Sequence, residues 1–136
     1  MRKLLIVLAA VLLATTTGAA TVTSPLTMSV PSVVTLQSAA TTGNGDEVST
    51  RFGLNLMTVL IIPSAGIASG AVQVETADVC GYAGTWAPLG SAQTLVASTE
   101  IIVQITAPVG CLRTRVSTTV VGGTVTTKFA GIAQAR

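Results

Sequence analysis

Hydrophobic and polar positions alternate along several short stretches of the chain. In Ala71-Val72-Gln73-Val74-Glu75-Thr76 the two valines point one way and Gln73 and Glu75 the other, the pattern of a half-buried antiparallel strand. Ile101 to Thr106 repeats it, with Ile101, Val103 and Ile105 on one face. Ser32 to Leu36 reads as a first strand, with Pro31 suited to a strand start or an edge because it cannot donate to a ladder. Thr50 to Ile62 is almost continuously apolar and ends at Pro63, which at this length reads as a strand buried on both faces or as a short helix, with the β-branched residues at its end and the flanking turn signals favouring strand. The segments around Trp86 to Gly90 and Thr94 to Val96 predict short strands or turns.

The C-terminal region carries the sharpest local signal. Cys111 to Val121 and Thr124 to Ile132 flank Gly122-Gly123, which suits a two-residue hairpin turn. In that register Val116, Val120, Val125 and Phe129 share one face, and Arg115, Ser117, Thr119 and Lys128 the other. Turn and face pattern agree, so a β-hairpin is expected here. Short strands separated by turn signals every 8–12 residues or so predict an all-β fold: a small antiparallel β-sandwich, jelly-roll- or Ig-like, of six to eight strands. Ser38 to Asp46, with Asn44-Gly45, predicts a mobile loop.

The first residues follow a different pattern. Met1-Arg2-Lys3 is positive, Leu4 to Ala14 is an unbroken apolar run, and Thr15 to Ala20 is polar and then small. That is the three-part form of a secretory signal peptide, and the run is too short for a membrane-spanning helix. The organisation expected is a signal peptide over 1–20, an N-terminal extension with a first strand and mobile loop over 21–49, and the sandwich over 50–136. Export to an extracellular or periplasmic location follows from that leader. A membrane enters only through a leader that stays uncut.

Composition narrows the function. Charged residues are 9 % of the chain and aromatics 3 %, with no histidine; an average soluble domain is about 25 % charged. Beyond residue 20, Arg51, Arg113, Arg115, Lys128 and Arg136 are balanced by Asp46, Glu47, Glu75, Asp78 and Glu100. A neutral domain has no electrostatic drive toward phosphate, so nucleic acid is not an expected partner. The lack of histidine removes the commonest general base and zinc ligand, and no nucleophile elbow or phosphate loop is present. Neither enzymatic activity nor a cofactor is expected.

Cys80 and Cys111 are the only cysteines. In an oxidising compartment an even count reads as a disulfide, whereas a metal site would need further ligands. Asp46-Glu47 is too thin an acidic cluster for calcium, and Glu75 and Asp78 read as surface acids. Arg113 and Arg115 lie two apart and project from one strand face, fit to grip a carboxylate or a partner, or to keep an outer face soluble. Trp86 packs into the core beside the Cys80 loop, or with Tyr82 forms a stacking surface for a sugar or an interface.

From about residue 50 to 132 the chain resembles small β-sandwich accessory and decoration proteins of tailed-phage virions and prophages. The likeness rests on Val72 and Val74, on Gly84, Thr85, Trp86, Leu89 and Gly90, on Arg113, Arg115 and Val116, and on Gly122 to Thr126. It implies a non-enzymatic surface, decoration or attachment role, with protein partners or self-assembly and a place on a virion surface. The alternative partner is a glycan, as for a secreted carbohydrate-binding module or adhesin domain.

Overall fold

The computed structural model describes residues 32–50 and 54–133. Among these residues there is no helix; ten strands form two antiparallel sheets. The first sheet has the order β1 (Ser32–Ala40), β10 (Val125–Ala133), β4 (Leu54–Pro63), β8 (Ile101–Ile105). The second is built on β9 (Cys111–Val121) paired with β5 (Ser69–Ala77). The short strands β2 (Gly43–Asn44) and β3 (Val48–Ser49) pair with β9, while β6 (Ala87–Pro88) and β7 (Gln93–Thr94) pair with β5.

Strict alternation makes one face of each sheet apolar, and the two apolar faces share one core. Leu36, Met57, Val59, Ile61, Ile105, Val125 and Phe129 come from the first sheet, and Val72, Val74, Leu112, Val116 and Val120 from the second. Burial of this kind contributes about 25 cal/mol per Å² of apolar surface. The core also holds polar groups that bond one another. The Thr114 hydroxyl of β9 lies 2.7 Å from that of Thr127 on β10 and donates to Gln37 Oε1 at 3.1 Å. Both threonines are fully buried, so these bonds tie the two sheets together through the interior.

The expected C-terminal hairpin is not formed. Both of its arms are strands, and Val116, Val120, Val125 and Phe129 all point into the core. Yet β9 pairs with β5 in one sheet, and β10 lies between β1 and β4 in the other. The Gly122-Gly123 link passes from sheet to sheet, beside residues 64–68, which make the same crossing between β4 and β5. Ala68 N–H donates to Val121 O at 2.8 Å and Ser64 N–H to Thr124 O at 2.9 Å. Gly122 has φ +79°, and a Cβ there would lie 2.4 Å from Gly66 O, so the two crossings touch backbone to backbone. The pairing of β4 with β10 thus continues around a corner into that of β5 with β9.

Three other expectations change. Residues 38–46 are not a free tip: β1 runs to Ala40, Gly43–Asn44 pairs with β9, and Gly45 N–H and Asp46 N–H donate to Thr114 O and Leu36 O, each at 2.7 Å. Residues 32–49 therefore contribute strands to both sheets. The apolar run before Pro63 is buried on one face only, because Met57, Val59 and Ile61 are buried while Thr58, Leu60 and Ile62 are half-buried. In β5, Gln73 and Glu75 are buried on the face opposite Val72 and Val74, so this strand is covered on both sides. The leader expected over 1–20 lies outside the described residues.

Candidate interaction surfaces

The two outer faces differ sharply in chemistry. On the second sheet, β5 and β9 place Glu75 opposite Arg113 and Gln73 opposite Arg115. The Glu75 carboxylate accepts from Arg113 Nε at 3.0 Å and Arg115 Nε at 2.6 Å, and Arg113 Nη2 lies 2.9 Å from the same carboxylate. Glu75 is only 4 % exposed, contrary to its reading as a surface acid. Burial of a carboxylate needs such partners, and Arg supplies a planar fork of donors. The two arginines do grip a carboxylate, and it is one of the chain's own.

Trp86 caps this cluster. Its ring is buried, with the Arg113 guanidinium carbon 4.3 Å from the ring centroid, a cation–π contact. Its Nε1–H donates to Tyr82 O at 3.0 Å. Gln73 is held nearby, its Nε2 donating to Val74 O at 2.8 Å and Gly90 O at 3.2 Å. Trp86 is therefore part of the packing and offers no ring face to a sugar; Tyr82 remains exposed.

The disulfide forms between Cys80 and Cys111, with their Cα atoms 5.2 Å apart. It fastens the loop after β5 to the first residue of β9, and Gly81 N–H of that loop donates to the carboxylate of Glu47, which lies between β2 and β3. Glu47, Cys80 and Cys111 are the one grouping of metal-ligand residue types among the described residues. With both sulfurs bonded to each other, that grouping offers no thiolate.

The outer face of the first sheet carries almost no charge. Cross-strand registers set Thr35, Lys128, Leu60 and Ile102 in one row, Val33, Ala130, Thr58 and Gln104 in the next, and Ile132 beside Leu56 beyond them. Ile102 is 64 % exposed, Val33 60 % and Leu56 and Ile132 46 % each. Lys128 is the single charged side chain among the described residues of this face. Sequence reading missed this surface because it placed β10 against β9; with β10 between β1 and β4, outward residues that look scattered along the chain become adjacent.

No protein-family model matches the chain, and neither does any curated protein. Among solved structures, the crystal structure of the SPBc2 prophage-derived protein YomS is similar, at 21 % identity over 74 % of this chain and 91 % of that one, with a TM-score of 0.54. At that identity the likeness is one of fold.

Proposed function

We propose that this is a non-enzymatic, exported structural protein: a small β-sandwich that attaches to copies of itself or to a larger assembly, in the manner of a virion accessory or decoration protein. The observation that carries the reading is the apolar outer face of the first sheet. Four strands about 4.8 Å apart, with a rise of about 3.4 Å per residue, make a face of roughly 500–600 Å², on which the exposed Val33, Leu56, Ile102 and Ile132 are interspersed with Thr35, Thr58, Gln104 and Lys128. The largest apolar patch on a soluble protein is commonly about 300–600 Å² and is often an interaction site. A specific interface occupies about 800 Å² on each partner, so this face would form its centre and flanking loops its rim.

Other features support the reading. The disulfide suits an oxidising compartment. The arginine pair that could have bound an external anion is engaged with Glu75. The prophage-derived structural neighbour shares the fold.

The test is light scattering on the disulfide-intact protein over a rising concentration series, with Ile102→Glu beside it. Ile102 is exposed, so its substitution costs folding little, within about 0.5 kcal/mol. The wild-type mass is expected to rise above that of one chain, and the variant to stay at one chain. A wild-type protein that remains monomeric throughout would argue against association through this face.

A further inference from the structure

The loop closed by the disulfide carries a second feature that the assembly reading does not use. A cleft of about 330 Å³ opens between the end of β5, the loop leading to β6, and the turn before β9. Thr76, Asp78, Tyr82, Thr85 and Val109 are among its lining residues. Tyr82 is 47 % exposed, and its ring is held in place. A Cβ on Gly84 would lie 2.5 Å from Tyr82 Cζ and Oη, so the ring rests on the Gly84 backbone, where any side chain would displace it. The Tyr82 carbonyl is held by Trp86 Nε1, and its loop is held by the disulfide and by the Glu47 bond to Gly81.

We propose that this cleft is a binding site for a neutral saccharide, with Tyr82 as the stacking platform. A half-exposed aromatic ring backed by the Gly84 backbone offers apolar surface to the C–H face of a pyranose at a small cost in side-chain entropy. Thr85 is exposed at the same cleft, and its hydroxyl both donates to and accepts from sugar hydroxyls. Sites of this kind combine one apolar platform with a few polar groups that fix orientation. A proline-rich peptide would also stack on a tyrosine, but grooves for such peptides are lined by several aromatic rings. Here Tyr82 is the one aromatic among the lining residues.

The site is independent of the outer face of the first sheet, so the two readings fail separately. The experiment is an array of neutral oligosaccharides (glucans, chitin fragments and galactans) probed with the disulfide-intact protein, with Tyr82→Ala and with Ile102→Glu. Wild type and Ile102→Glu are expected to bind a common subset of glycans. Tyr82→Ala is expected to lose about tenfold in affinity for that subset with only a small fall in melting temperature, since the ring is half exposed and lies outside the hydrophobic core. Absence of wild-type binding to every arrayed glycan, or binding that Tyr82→Ala leaves unchanged, overturns the proposal. Tyr82-dependent binding to decaproline without binding to any glycan also overturns it, in favour of a peptide site.

Discussion

Replacing Glu75 by Gln tests the charge cluster on the second sheet. The substitution keeps the shape of the side chain and removes its charge. Arg113 then loses its counter-ion while its own side chain is only 16 % exposed. Breaking a buried pair by removing one partner costs about 3–5 kcal/mol. The amide oxygen still accepts one bond, which brings the expected loss at Arg113 to about 2–3 kcal/mol. The Arg115 side chain is 43 % exposed, and water screens that pair to at most about 1 kcal/mol. The total is about 3 kcal/mol. At about 3–5 °C per kcal/mol for a domain of this size, the melting temperature should fall by about 9–15 °C. Urea unfolding followed by the fluorescence of Trp86, the sole tryptophan and stacked on Arg113, reads the change directly. Replacing Glu75, Arg113 and Arg115 together by apolar residues of similar volume should recover most of the loss, because no uncompensated charge is left. A Glu75→Gln variant within about 0.5 kcal/mol of wild type would refute the reasoning.

Two further predictions concern the interior and the cross-link. Thr114→Val strands both Gln37 Oε1 and the Thr127 hydroxyl, and should cost about 2–4 kcal/mol in urea unfolding; Thr127→Val removes one bond and should cost about 1 kcal/mol. Equal losses would mean that Thr114 is not the shared partner. Cys80 and Cys111 lie 31 positions apart, a loop whose closure is worth about 3–4 kcal/mol in the chain-entropy model. Chemical denaturation with and without reductant should differ by that amount, and identical midpoints would contradict it.

Much of the fold is legible in the sequence, for a specific reason. Alternation reports the face on which a residue lies, so Val72, Val74, Ile105, Val116, Val120, Val125 and Phe129 all reach the core as their periodicity predicts. Alternation says nothing about which neighbour takes the backbone hydrogen bonds. Gly122-Gly123 is equally suited to a tight hairpin and to a crossing between sheets, and only the contacts with Ser64, Gly66 and Ala68 distinguish the two. Those contacts span more than fifty positions, beyond the reach of a local pattern. Glu75 shows the same limit. An acid in an alternating strand reads as solvent-facing, and it is buried because the Trp86–Gly90 segment and two arginines from β9 converge on it. For the cysteines, an even count in an oxidising compartment points to a disulfide, and two thiols in one chain have a single possible intramolecular pairing. Of the two aromatic candidates, burial separates Trp86 from Tyr82, and no spacing rule does so.

Lys128 offers the most direct reading of the apolar outer face. Apart from Lys3 it is the only lysine of the chain, and it sits between Thr35 and Leu60 on that face. Amine-reactive labelling, read at Lys128 by peptide mass spectrometry, should slow several-fold as protein concentration rises and the scattering mass leaves that of one chain. A labelling rate that holds constant while the mass increases would place the contact elsewhere and contradict association through the first sheet.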